Sequence, residues 1–439
     1  MTDERKIPRG RLSRVAKLAR AGATSGLAML RSKSATGAAD KVAGMLGEMR
    51  GVATKVGQMA SYVDGLIPPE HAEAFERSMS KLRAGAPRSS ASDIRRTLTE
   101  DLGAPPEDLF SSWEDVPIAS ASIGQVHRAT LLDGRAVAVK VQHPGIAEAM
   151  EADMRNASLM DFGSRAFGFG KFEVGRLVDE AKARFREELD YGLERARYER
   201  FATLHASDPK VVIPEVISER CSSRVLTTAF VEGIDFDRAC EASESDRRAW
   251  AQTQWRFVYG SIMLGGIFNA DPHPGNYRFL PDGAVGFLDF GCVQEINNYN
   301  RRRIVAGHVS LAEGSFDGFE VAMAEMLAAQ DGTHRREMAS YMRHAVSPLL
   351  ESPFRITREF AGEVVRRFRS MAKSMISLSG SDYAAMPEGI LFLNRLQFGF
   401  YSVLARLDVQ ADYAAVERSF LDEAQDAVRD LPDSKARRG

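Results

Sequence analysis

Three residues in the middle of this chain have types and spacing suited to handling phosphate and a hard cation. Asp271 and Asn276 stand five apart in "FNADPHPGNYRFL", a loop whose prolines and glycine rule out regular helix. Asp289-Phe290-Gly291 follows thirteen residues after Asn276, at the end of the apolar, strand-like run "VGFLDF". One carboxylate and one amide oxygen, Asp289 and Asn276, are a suitable pair for magnesium that is also held by phosphate oxygens. Asp271 then remains to orient or deprotonate an attacking hydroxyl or water. A second Asp-Phe-Gly, Asp161-Phe162-Gly163 in "LMDFGSRAFGFG", follows no such loop and is read as a turn between helical segments.

A phosphate site also needs a fixed cation. In "RAVAVKV" the alternation of a strand puts Val137, Val139 and Val141 on one face and Ala136, Ala138 and Lys140 on the other. The small alanines leave room beside the lysine for something flat or anionic, whereas alone it would read as a solvated strand lysine. The Asp133-Gly134 turn before this strand predicts a hairpin. Together they look like the hairpin with which a protein kinase grips ATP, except that Ala119, Ser120, Ala121 and Ser122 stand where its glycines would be, and only Gly124 remains. The helix predicted from Glu173 to Arg200 puts Val174, Leu177, Val178, Ala181, Phe185 and Leu189 on one face, with Glu188 in the middle of it. A carboxylate there needs a partner, and Lys140 is the best-placed one, unless Glu188 snorkels past its apolar neighbours.

Composition sets the frame for these residues. A chain of 439 residues that is 44 % hydrophobic can bury a large core, and a net charge of −2 argues against nucleic acid as a partner. The three cysteines, Cys221, Cys240 and Cys292, are too few and too scattered for a disulfide framework or a metal knuckle, which suggests a reducing, cytoplasmic setting. "MTDERKIPRGRLSRVAKLARAG" has no apolar core of a signal peptide; it reads as a basic helix that either lies on an anionic membrane as a peripheral contact or covers the body. "GILFLNRLQFGFYSVLARL" is interrupted by Asn394, Arg395, Gln397 and Arg406, so a buried amphipathic helix is expected and no transmembrane span.

The organisation follows from these signals. Residues 1–90 are predicted to be a helical extension, ending in the boundary-like "RAGAPRSSASD". Residues 91–233 are predicted to be an α+β lobe, with the hairpin, the long helix, and strands at "EVISE" and "RVLTTAFVEG". Residues 234–439 are predicted to be helical apart from an irregular piece at 269–291, with the chemistry placed between the lobes.

Four motifs in order, "KVGQ" at 55–58, "ASASIGQVH" with "VAVK", "ELD" at 188–190, and "ADPHPGN" with "LDFG", make the sequence resemble the UbiB/AarF group of atypical, protein-kinase-like proteins. The resemblance covers about residues 40–300. It implies a protein-kinase-like two-lobed α+β fold with an N-terminal helical extension and a helix-rich C-terminal lobe. It also implies that the alanine-rich loop, Ala119, Ser120, Ala121 and Ser122, binds nucleotide, ATP or ADP, with Mg2+. The KxGQ helix would lie over the cleft as a regulatory extension, with Lys55 and Gln58 reaching inward; Asp190 and Glu194 are the carboxylates expected to pair with Lys55. Asn269 stands where many relatives have histidine, and Tyr62 where arginine is common. The role implied is support of isoprenoid quinone biosynthesis or lipid homeostasis, with a quinone precursor or lipid as partner.

The reading that joins residues and resemblance is an atypical kinase or ATPase acting on a small molecule or lipid. Lys140 would hold the α/β-phosphates, Glu188 would position it, Asn276 and Asp289 would bind magnesium, and Asp271 would serve as base. The alternatives are a non-catalytic nucleotide-sensing scaffold and a protein kinase acting on Ser/Thr. The latter lacks an APE-like anchor after "LDFGCVQEINNYNRRRIVAG".

Overall fold

The computed structural model describes residues 89–120, 123–149, 151, 186–327, 332–377 and 390–432. These divide into two compact units. One comprises the residues up to Ala196 together with Val216–Phe230, and the other Arg197–Glu215 and the chain from Val231 onward. Lys55, Gln58, Ala121, Ser122, Asp161 and the basic first helix lie outside the described residues.

The first unit is built on an antiparallel sheet of β1 (Phe110–Trp113), β2 (Ala119–Ser120), β3 (Gly124–Leu131), β4 (Ala136–Gln142) and β6 (Val225–Ala229), in the order β1-β3-β4-β6 with β2 also on β3. The expected hairpin is β3–β4. Gly134 turns it at φ 90°, a conformation that glycine adopts without the clash of a Cβ. The alternation is as expected: Val137, Val139 and Val141 are fully buried, while Ala136, Ala138 and Lys140 on the other face are partly exposed. The valine face packs with Ile94, Leu98, Leu109 and Phe110, and each such buried side chain contributes roughly 1.5–3 kcal/mol. Helix Ala91–Leu102, which supplies Ile94 and Leu98, is capped by Ser90, whose side chain accepts from the Asp93 amide; Gly103 closes it at φ 78°.

Two expected elements of this region differ. "EVISE" forms only an isolated bridge, Val216 to Thr228, before a 3₁₀ turn at Ser218–Arg220. The expected long helix is interrupted before Asp190. Residues 186–188 are helical, and a new helix, Tyr191–Leu204, starts with the Asp190 side chain accepting the Leu193 amide at 3.0 Å. An aspartate that can cap a new start competes with continuing the old helix.

The second unit is mainly helical. Its core lies around Glu244–Gly260, with Asn298–Ala312, Phe316–Leu327, Arg358–Ser377 and Ile390–Leu407 among its other helices. The piece expected to be irregular holds short strands. β8 (Tyr277–Phe279) and β9 (Val285–Phe287) are antiparallel, and β5 (Val211–Val212) runs parallel to β9. β7 (Ile267–Asn269) pairs with β10 (Val293–Glu295). Arginines close helix ends by binding their last carbonyls: Arg301 Nε donates to Met263 O at 2.9 Å, and Arg302 to Arg429 O at 3.1 Å. The late apolar segment is the buried helix expected, with Leu396, Phe400, Tyr401, Val403 and Leu404 in the core. Among the described residues no helix is long and apolar enough to cross a membrane.

Candidate functional site

In the first unit the site begins with Lys140. Register pairs it with Val126 on one side and Leu226 on the other, so it projects from the middle of the sheet on the face opposite the valines. Its ammonium donates to both carboxylate oxygens of Glu194, each at 2.8 Å, with the carboxylate side chain 2 % exposed and the lysine 17 %. The ring of Tyr191 lies 5.1 Å from the same nitrogen. Glu194, rather than Glu188, is therefore the partner of Lys140. The reason is the break at Asp190: on one continuous helix Glu188 would share the apolar face, but the restart at Tyr191 sets a new register, which turns Glu194 toward the sheet. Asp190 caps the new helix; Lys55, expected to pair with Asp190 and Glu194, lies outside the described residues.

Two residues that sequence reading left without a role hold this arrangement. Gln142, two along from Lys140 and 3 % exposed, donates to Leu189 O at 2.7 Å and to Ser223 O at 3.4 Å, tying the strand to the start of the helix. Gly124 is required by close approach, since a Cβ there would stand 2.5 Å from Val141 O and 2.8 Å from the Tyr191 hydroxyl. Ala119 and Ser120 of the alanine-rich stretch pair with Val126 and Gln125 as β2. The Gln125 and His127 of "IGQVH" are core residues. They bond each other at 2.9 Å, His127 also meets Glu114 O at 2.8 Å and stacks on Trp113, and burial pulls the His127 pKa down, so the ring is neutral.

In the second unit the structure brings Asp271, Asn276 and Asp289 together by backbone pairing. The β8–β9 register, Tyr277 opposite Phe287, sets Asn276 beside the chain entering Asp289, and Leu288 N donates to Asn276 O at 2.9 Å. The β7–β10 pair, extended by Ala270 N to Cys292 O at 2.8 Å, delivers Asp271 to the same place. Asn269 ties the two. Its amide nitrogen donates to Asp289 O at 2.6 Å and its oxygen accepts the Asp271 amide at 3.0 Å. Asp289 accepts the Gly291 amide at 2.8 Å. Phe290 is fully buried, 4.5 Å from Phe201 and 4.7 Å from Tyr198 by ring centroids. It anchors the triplet from below.

The donor set fits magnesium. Asn276 turns its amide nitrogen to Asp271 O at 3.3 Å, which leaves its amide oxygen as a neutral hard donor, and Asp289 adds a carboxylate on the neighbouring strand end. Among the described residues no three His, Cys, Asp or Glu converge as a metal cage. Beneath the loop, burial, with Asp271 nearby, pushes the Tyr277 phenol far up, so it stays neutral.

A sheet bearing an ion-paired lysine, followed by a catalytic-type Asp-x4-Asn loop and an anchored Asp-Phe-Gly, defines a mixed α/β domain of the protein-kinase-like class. Residues 81–320 match the ABC1 atypical kinase-like domain, more than half of the chain, and the chain belongs to this UbiB/AarF family. It is 33 % identical over 287 residues to the Caenorhabditis elegans protein named atypical kinase coq-8, mitochondrial, covering 64 % of this chain and 37 % of that one. It is 29 % identical over 431 residues to rat atypical kinase COQ8B, mitochondrial, covering 92 % and 79 % respectively. The structure of Mycobacterium tuberculosis Rv3197 in complex with erythromycin is similar with a TM-score of 0.59 at 26 % identity, over 93 % of this chain and 98 % of that one. The chain spans well under half the length of several curated relatives, 36 % of an Arabidopsis thaliana chloroplastic one among them.

Proposed function

We propose that this chain binds ATP with magnesium and turns it over, as an ATPase or as a kinase directed at a small molecule or lipid, in support of isoprenoid quinone biosynthesis or lipid homeostasis. The observation that carries the reading is the convergence of Asp271, Asn276 and Asp289 around the Asn269 bridge. Lys140, paired with Glu194, would hold the phosphates; Asn276 and Asp289 would hold magnesium, which when bound neutralises charge on the phosphate oxygens. Asp271, its backbone fixed on both sides, would orient the attacking hydroxyl or water and take its proton. The quinone role rests on the COQ8-type relatives, and the two-lobed kinase-like arrangement on the family. Peripheral membrane contact through the basic N-terminal helix belongs to the same proposal.

The test compares nucleotide affinity by calorimetry with phosphate release. Asp289→Asn and Lys140→Ala are expected to lose magnesium-dependent nucleotide binding, whereas Asp271→Asn should retain binding and lose at least about 100-fold in turnover, the loss expected for a general base. Wild-type binding without any turnover would make the chain a nucleotide sensor. Unaltered binding in Asp289→Asn would remove the proposal.

A further inference from the structure

Helix Ile390–Leu407 lies in the stretch where the sequence offers no motif, yet the structure holds it firmly. Tyr401, 1 % exposed, donates to Ala345 O at 2.7 Å, and Gln397 accepts from the Tyr341 hydroxyl at 2.8 Å. Arg247 closes its last turn at Leu407 O, 2.6 Å away, and Arg406 reaches Asp237 at 2.7 Å. Gly399 sits between these anchors. A Cβ at Gly399 would stand 2.6 Å from Cγ of Pro272, with Pro272 Cδ at 3.5 Å and Cβ at 3.8 Å. Pro272 is no flexible tip: its ring locks φ, and it joins Asp271 to His273.

We infer that Gly399 is a positioning residue, and that helix Ile390–Leu407 is the backing on which the loop from Asp271 to Asn276 is seated. The inference rests on the proposed roles of Asp271 and Asn276. Any side chain at 399 must push the anchored helix or the loop, and between its pinned ends at Ala270 and Asn276 the loop is the weaker of the two, held there by short-range bonds within a single 3₁₀ turn. Those bonds adjoin Pro272 directly. Asp271 O accepts the His273 amide at 2.7 Å and the Asn276 side chain at 3.3 Å, and Asp271 N donates to Asn269 at 3.0 Å. A shift of Pro272 therefore displaces the base and the metal-binding amide together.

The experiment uses the full chain and four variants: Gly399→Ala, Pro272→Ala, the double variant, and Gly362→Ala as a control. Gly362 lies in helix Arg358–Ser377, and its nearest neighbour to an added Cβ is the mobile guanidinium of Arg366 at 3.5 Å. Alanine there should raise the melting temperature by helix propensity and leave the loop untouched. Hydrogen exchange is read at the loop amides His273, Gly275 and Asn276, alongside phosphate release. Gly399→Ala is expected to speed loop exchange and lower kcat by about tenfold, short of the roughly 100-fold that a full 1 Å misplacement can cost. In the Pro272→Ala background, where only Cβ at 3.8 Å remains, the same change should alter either readout by less than about twofold, since ordinary contact then replaces overlap. Equal effects in both backgrounds, no effect in either, or failure of Gly399→Ala to fold in both, would overturn the inference. If the wild-type chain binds no magnesium nucleotide, the proposed function fails, while the exchange data still decide whether the helix seats the loop.

Discussion

Lys140 and Glu194 form a buried ion pair whose worth lies mostly in what its loss would expose. Replacing both by apolar residues could be neutral for stability, but removing one takes a close opposite charge from the other in a largely buried site. Glu194→Gln is therefore expected to destabilise the chain by about 3 kcal/mol in urea unfolding. It should also weaken nucleotide binding, because the lysine would lose its fixed position. Glu188→Gln, outside that pair, should cost clearly less. An equal or larger loss for Glu188→Gln would mean that Lys140 changes partners in solution. That Lys140 pairs with a glutamate of this region was legible from the carboxylate left among apolar residues; which glutamate it is was not. The two candidates lie on either side of one helix interruption, which falls at Asp190, where the side chain caps the new start.

At the scale of elements, the site is set by strand pairing and by hooks between elements. The hairpin β3–β4 was legible because a strand's period of two and an Asp-Gly turn are local signals. The short strands β7 to β10 were not, since three-residue strands carry too little pattern and exist here only through their partners. The residues sequence reading passed over are hooks of the same kind: Asn269 bridging Asp271 to Asp289, and Gln142 joining β4 to the segment before Tyr191. Gln142→Leu keeps the volume but leaves Leu189 O and Ser223 O without this donor, which should cost about 1–3 kcal/mol in unfolding free energy. Nucleotide affinity should fall with it, as the helix bearing Glu194 loosens. A variant with unchanged stability and affinity would reduce Gln142 to packing.

For the whole molecule, buried neutral histidines are expected to contribute to the loss of stability in acid. His205 is 6 % exposed, bonded to Ser261 Oγ at 2.8 Å, and burial pulls its pKa down from 6.5 to about 4. The unfolded chain thus binds a proton below pH 6.5 that the folded chain refuses, so this contribution is complete above pH 6.5 and is lost as pH falls toward 4. Urea titrations should give a drop of about 2 kcal/mol between pH 7 and 5 from this group, and His205→Gln should flatten that part of the slope. An unchanged slope in the variant would assign acid lability elsewhere. His127 in the first unit is shifted in the same direction by the same cause. By itself the sequence carried the motifs that mark the kinase-like family, the lysine strand and the spacing of Asp271, Asn276 and Asp289, because those depend on residue type and near spacing. Only the tertiary structure decided that Glu194 meets Lys140, that Asn269 joins Asp271 to the Asp-Phe-Gly segment, and that Gly399 lies against Pro272. These are contacts between distant parts of the chain. They depend on helix register and on the approach of one backbone to another, neither of which leaves a periodic trace in the residues that make them.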